Sequence, residues 1–311
     1  MSLEDITKTL YAQIEKQGYE GKIVSIEHVS ELQEEIEEKY RQGLLSEETY
    51  REVLFWIDFR IPEISPRAKS LIIVAAPQSQ VRATFHWNGN PLHCIIPPNY
   101  NHSTDVQVRQ LLEPLLKPMG YQLIKADLPL KLLAVRSGLA QYGRNNISYV
   151  PRMGSFYRLV AFYSDLPCWE DNWGELVMME RCEKCTACQK VCPTGAISSD
   201  RFLLRAERCL TFHNEGNAEF PQWLESSWHH CLVGCLYCQK ICPVDKDFLN
   251  KIEEGPTFSQ QETASLFQNR SGPRITEETI AKLEKLDLIE YLDILGRNLK
   301  VLMNKESGFN I

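Results

Sequence analysis

Four cysteines constrain this chain more than anything else in it. Cys182-Glu-Lys-Cys185-Thr-Ala-Cys188-Gln-Lys-Val-Cys192-Pro193 has the full C-x2-C-x2-C-x3-C-P spacing of bacterial ferredoxins. The first three thiolates of such a run wrap one [4Fe–4S] cube, and the fourth, a turn further on, ligates a second cube. A degenerate copy, Cys235-Leu-Tyr-Cys238-Gln-Lys-Ile-Cys242-Pro243, shares the C-x-x-C-Q-K-[VI]-C-P ending, with Leu232 where its first cysteine would stand. Reciprocal pairing predicts one cube on Cys182, Cys185, Cys188 and Cys242. The other takes Cys192, Cys235, Cys238 and either Cys209 or Cys231. Zinc knuckles also use C-x-x-C, but a complete run followed by a second C-P ending fits iron–sulfur far better.

Composition agrees. The chain has 11 cysteines in 311 residues, 43% of them hydrophobic, and at that length a core needs no disulfide staples, so clustered cysteines point to metal. The longest apolar runs, such as Ser70–Pro77, fall short of the ~20 residues of a bilayer span. Met1-Ser-Leu-Glu-Asp-Ile-Thr-Lys has no apolar signal region. The expectation is a cytoplasmic protein with no membrane contact. A net charge of −7 argues against a surface that coats polyanions. No GxGxxG follows a strand and no GxxxxGK[ST] occurs, so neither a dinucleotide fold nor a nucleotide triphosphatase is supported.

Four segments follow from texture: 1–66 helical, 67–175 α/β, 176–248 cysteine-rich loops with short helices, and 249–311 helical again. In the first, Ser30–Gln42 carries a glutamate run read as a solvated helix face, Ser46-Glu-Glu-Thr opens a helix, and Ile61–Pro66 marks a break. In the second, Ser70–Pro77 reads as a buried strand, with Val81–Trp87, Leu92–Ile96, Tyr121–Lys125 and Ser155–Tyr163 as further strands. Thr104–Met119 is an amphipathic helix with Val106, Val108, Leu111, Leu112, Leu115 and Leu116 on or near one face, and Pro129–Ser137 is a helix ended by Gly138. In the tail, Thr276–Leu286 and Ile289–Met303 are amphipathic. The fold class expected is α+β.

Between Leu128 and Ser164 there is no acidic residue, yet Lys131, Arg136, Arg144, Arg152 and Arg158 are present, interleaved with Gly138, Gly143 and Gly154. Such a loop suits an anionic cofactor or substrate; the plainer alternative is surface charge facing acidic helices elsewhere. Cys94 and Cys168 read as incidental thiols. His213, His229 and His230 lie near the second run but read as bystanders.

In order along the chain, Ala134-Val-Arg-Ser-Gly-Leu-Ala-Gln-Tyr-Gly-Arg-Asn145, Gly154-Ser-Phe, Asp165-Leu-Pro, Cys182–Ile197, Arg208-Cys209-Leu-Thr, Gly234–Pro243 and Leu295-Gly-Arg-Asn-Leu299 resemble the motifs of the epoxyqueuosine reductase family, double-cluster proteins related to corrinoid-dependent reductive dehalogenases. The resemblance covers about residues 68 to 302 and favours Cys209 over Cys231 as the eighth ligand. It implies a nitroreductase-like α/β region that binds cobalamin, joined to a ferredoxin-like double-cluster domain. Arg136, Gly138, Leu139, Tyr142, Gly143, Arg144, Asn145, Gly154 and Ser155 are its implied cofactor-binding residues, and Asp127 is the nearest match to the family's proton-donating aspartate. In place of the family's loop lysine stands Arg144, and Ala140 replaces a glycine. The longer members carry a helical-repeat tail that helps hold transfer RNA. Here about 68 residues follow Pro243, and the acidic charge speaks against transfer RNA as substrate.

The first reading is a corrinoid-dependent reductase acting on a small molecule or a modified nucleoside, fed by an electron donor such as a ferredoxin or flavodoxin. The alternative is a [4Fe–4S] electron-transfer protein without corrinoid, and the third is an interaction protein whose clusters are structural.

Overall fold

The computed structural model describes residues 2–62, 67–268 and 275–307. Where the sequence suggested four consecutive segments, contacts group the chain into two units, each discontinuous. One comprises Met1–Pro77, His102–Thr186 and Asp200–Leu203; the other comprises Gln78–Asn101, Ala187–Ser199 and Leu204–Ile311. The mixed α and β content is as expected.

The first unit is built on a four-stranded antiparallel sheet of β1 (Glu20–Ser25), β2 (Ser70–Pro77), β5 (Leu123–Lys125) and β8 (Tyr157–Ser164), in the order β1-β2-β8-β5. Strand β2 is uniformly apolar because both faces of the sheet are covered. Its Ile72, Val74 and Ala76 pack with Val160 and Phe162 against α1 (Leu3–Lys16) and α4 (Ser103–Leu116). Its Leu71, Ile73 and Ala75 pack with Leu159, Ala161 and Tyr163 against α2 (His28–Arg41) and α5 (Leu130–Arg136). Helix α3 (Glu47–Trp56) starts where expected, with the Ser46 hydroxyl accepting the Thr49 N–H at 3.1 Å.

Residues 1–66 are therefore not wholly helical: β1 completes the sheet and draws the N-terminal helices into the same core. Gly21-Lys22 at its start breaks the alternation that would have betrayed a strand. Of the Ile61–Pro66 break, residues 63–66 lie outside the described residues. Helix α4 stops at Leu116, and Lys117–Met119, with Pro118 in it, continues as a tighter 3₁₀ turn. Val106 is 55% exposed, off the face that carries Val108, Leu112 and Leu116.

In the second unit, β3 (Gln80–Trp87) and β4 (Asn90–Ile96) form a hairpin across Asn88-Gly89, both with positive φ, as such two-residue turns require. Against β3, in parallel, lies β9 (Ile252–Phe258). The tail is thus not helical throughout, because Glu253-Glu254-Gly255-Pro256 reads as polar turn rather than strand. Phe85 and Phe258 stack at 4.4 Å in a core that also takes residues from α9 (Gln260–Gln268), α10 (Glu277–Lys285) and α11 (Leu292–Ser307). Among the described residues, no helix is long and apolar enough to cross a membrane.

Candidate iron–sulfur site

The repeat in the sequence is a repeat in the backbone. Cys188 lies in α6 (Ala187–Val191) and Cys192 just beyond it; Cys238 lies in α8 (Tyr237–Lys240) and Cys242 just beyond it. The two short helices pack together in the second unit. Cys209 precedes α7 (Leu210–Glu215), and its N–H donates to Ala206 O at 2.8 Å.

Around the second-cluster set the sulfurs share one neighbourhood. Cys209 feels the charge of Cys192, and Cys235 feels Cys238, Cys209 and Cys231. Burial pushes the Cys209 and Cys235 thiols up. Opposing that, the N–H groups of Thr211 and Phe212 and the Thr211 hydroxyl donate to Cys209, and the Tyr237 N–H donates to Cys235. Such donors stabilise thiolate, the form that binds iron. None of these cysteines is in a disulfide. Among the described residues, no three Cys, His, Asp or Glu side chains converge to cage a single ion.

Cys231 differs from the rest. It is buried, bridged through its backbone to Ile95, and followed by the core residues Leu232 and Val233. Burial raises its thiol to about 12. Cys182, Cys185, Cys188, Cys192, Cys209, Cys235, Cys238 and Cys242 are all half-buried. Cys182 and Cys185 belong to the first unit, and Cys188 and Cys242 to the second.

The histidines serve the backbone. His230 Nε2 accepts the Leu236 N–H at 3.1 Å and its Nδ1 faces Trp228 O at 3.2 Å, so both ring nitrogens hold the loop ahead of Cys235. His213 Nε2 bonds Glu207 O at 3.0 Å. His229 is buried against Phe220. Gly234 takes φ +65°, and a Cβ there would lie 2.4 Å from the Tyr100 hydroxyl. Cys94 is buried in the β-hairpin core, and Cys168 donates to Ile23 O at 3.5 Å with its thiol raised by burial to about 11.

The acid-free stretch forms a hairpin in the first unit, β6 (Gln141–Tyr142) paired with β7 (Ser148–Tyr149). Its turn is tightly determined. Gly143 donates to Ile147 O at 2.8 Å, Asn146 adopts φ +61°, and the Asn145 amide donates to the Tyr149 hydroxyl at 2.9 Å. A Cβ at Gly143 would lie 2.5 Å from the Tyr149 ring. Gly138 and Gly154 take φ +72° and +59°, Leu139 and Tyr142 are core residues, and Asn145 and Ser155 are buried.

The arginines have partners within the chain. Arg136 donates to Glu35 at 2.8 Å and to Gly174 O at 3.0 Å; Arg152 pairs with Glu20 and Glu15; Arg158 pairs with Asp105 at 2.5 Å. Arg144 donates to the carbonyls of Cys182, Glu183 and Cys185. An anion bound here would have to displace them. Glu35 answers Arg136, and Glu31 answers His28 and Trp173, so the glutamate run is only partly a solvated face. The acid partners of Arg136, Arg152 and Arg158 accord with the plainer of the two sequence readings, charge facing acidic segments elsewhere, while the particular partners, 53 to 132 residues away, leave no local signal. Asp127 is exposed at the end of β5, its carbonyl accepting the Asp58 N–H at 2.7 Å.

A family profile described as a 4Fe-4S double cluster binding domain matches residues 181–245. Fold and donor set thus define an iron–sulfur redox protein with a double-cluster segment in a mixed α and β framework. Its likeness is to epoxyqueuosine reductases, as the motifs led us to expect. The enzyme of Cellulophaga algicola is 24% identical over 212 residues, 66% of this chain and 67% of its own. That of Escherichia coli is 34% identical over 112 residues, 36% of this chain and 28% of its own. The chain thus spans only part of these relatives' lengths. A crystal structure of epoxyqueuosine reductase with an epoxyqueuosine-modified tRNA-Tyr stem loop matches with TM-score 0.68 and 19% identity, over 98% of this chain and 82% of that one. That match is a likeness of fold.

Proposed function

We propose that this chain is a two-cluster iron–sulfur reductase of a modified nucleoside. The observation that carries it is the set of eight half-buried cysteines outside any disulfide, at 182, 185, 188, 192, 209, 235, 238 and 242, within a fold similar to epoxyqueuosine reductase over nearly the whole chain. One cube takes Cys182, Cys185, Cys188 and Cys242; the other takes Cys192, Cys209, Cys235 and Cys238. Two clusters relay electrons singly from a donor such as a ferredoxin or flavodoxin to a substrate that needs two.

The same reading carries cobalamin as a further cofactor, on the strength of the family likeness. With the arginines engaged elsewhere, the segment around the hairpin would meet a corrin through uncharged groups, the backbone at Gly138 and Gly154 and the buried Ser155, while Gly143 and Asn145 hold the hairpin turn itself. That chemistry suits a macrocycle fringed with amides. Bound there, a corrinoid would supply a low-valent metal as nucleophile. Asp127, exposed beside the same unit's sheet, is our proposed proton donor.

Anaerobic reconstitution followed by iron analysis tests the cluster assignment, with about eight irons per chain expected. Cobalamin titration, read by visible absorbance, should saturate near one equivalent. Reduced protein should then turn over an epoxide-bearing modified nucleoside, free or in a stem loop, and Asp127→Asn should abolish turnover with cofactors retained. Eight irons without cobalamin binding or turnover would leave an electron carrier.

A further inference from the structure

Arg144 occupies an unusual position for a charged side chain. Its Nε donates to Cys182 O at 3.1 Å and Cys185 O at 2.9 Å, while Nη2 donates to Glu183 O at 3.1 Å and again to Cys182 O. Every partner is a backbone carbonyl, and among the described residues no carboxylate pairs with it. Arg136, Arg152 and Arg158 are each neutralised by an acid; Arg144 is not. Its full positive charge is held on the four-residue turn Cys182–Cys185, which carries two cysteines of the proposed first cluster.

The hairpin that bears Arg144 is stitched to the same strand of chain at a second point. Tyr142 donates to Val177 O at 2.7 Å, Met179 donates back to Tyr142 O at 2.9 Å, and Cys182 donates to Met179 O at 2.9 Å. The turn behind Arg144 is rigid, for the reasons given at Gly143 and Asn145. A planar guanidinium with five donors in a fixed fork can grip three diverging carbonyls at once; an ammonium is a single point.

We infer that Arg144 is a positioning residue for the first cluster. Its fork fixes the Cys182–Cys185 turn, and its uncompensated charge raises that cluster's reduction potential. A [4Fe–4S] cube on four thiolates is an anion that gains a further negative charge on reduction. Cluster potential follows local charge and hydrogen bonding, so a cation fixed at the ligand turn favours the reduced state. This inference rests on the two-cluster reading above.

The test is an anaerobic redox titration followed by electron paramagnetic resonance, together with the kinetics of iron loss to a chelator, on wild type, Arg144→Gln and Arg144→Lys. Cys209→Ser, which removes the second cluster, identifies the signal of the first. Arg144→Gln should lower the potential of the first cluster alone and release about half the iron several-fold faster, the other half at the wild-type rate. Arg144→Lys should restore much of the potential, because the charge returns, while iron loss stays fast, because the fork does not. If Arg144→Gln holds no cluster at all, Arg144→Lys decides: its potential must lie close to wild type with faster iron loss. Unchanged potentials and release, or equal changes in both clusters, would overturn the inference. Wild-type protein with fewer than two clusters would instead overturn the reading beneath it.

Discussion

At the scale of single residues, the eighth ligand is the sharpest question. Cys209 sits at the head of α7 with two backbone N–H groups and a hydroxyl aimed at its sulfur. Cys231 is a buried residue tied to β4 and followed by core positions. Cys209→Ser should therefore lower iron from about eight toward about four per chain, whereas Cys231→Ser should leave it unchanged; the reverse pattern would exchange their roles. Gly234 supports the same cluster differently. Its φ of +65° disfavours any side chain, and a Cβ would press on the Tyr100 hydroxyl, which is bonded to Glu215. Gly234→Ala should displace the adjoining Cys235 loop, so that iron falls by about half while the first cluster's spectrum persists.

At the scale of elements, the closing helix α11 acts on the cluster segment through Asn298. The side chain is 1% exposed, and its amide donates to Asn214 O and Leu232 O, both at 2.8 Å. Asn298→Ala would orphan two buried carbonyls and should cost about 2–3 kcal/mol, measured by denaturant unfolding of the reconstituted protein. A second tie, in the first unit, joins α4 to β8 and β5. Burial pushes the Asp105 carboxyl up, but Arg158 and Lys125 outweigh it and hold it below the ordinary range. A carboxyl depressed in the folded state stabilises above its unfolded pKa of about 3.9 and loses that contribution as pH falls through the folded value. Wild-type stability should thus fall more steeply than that of Asp105→Asn between about pH 5 and pH 3. These ties also show what the sequence could and could not disclose. Strand β2 was legible from its apolar run and α3 from its Ser46 cap, since both signals are local. Strands β1 and β9 were not, because Gly21-Lys22 and Glu253–Pro256 lack the period of a strand and acquire their role only by pairing with β2 and β3. The double-cluster segment was legible because the spacing of its cysteines is the chemistry, and a double-cluster profile spans it. The engagement of Arg136 with Glu35, and of Arg144 with the Cys182 turn, was not, since composition records charge and not its partner.

At the scale of the whole molecule, charge separates two ways of meeting a nucleoside. The chain carries −7 overall, and Arg136, Arg144, Arg152 and Arg158 of its acid-free stretch are each engaged by acids or carbonyls of the same chain, with Arg152 and Lys131 exposed. A protein that grips RNA through its backbone does so with cations facing outward, and each phosphate contact adds close to one unit to the slope of log affinity against log salt. Recognition here should rest instead on the modified base and its immediate surroundings. For a modified tRNA stem loop, binding measured between about 50 and 200 mM salt should give a slope no steeper than about −3, the mark of roughly three or four phosphate contacts. Free modified nucleoside should then retain much of the stem loop's reactivity. A slope near −6, with the free nucleoside inert, would mean that an outward basic face assembles on binding, and that the RNA backbone rather than the base holds the substrate.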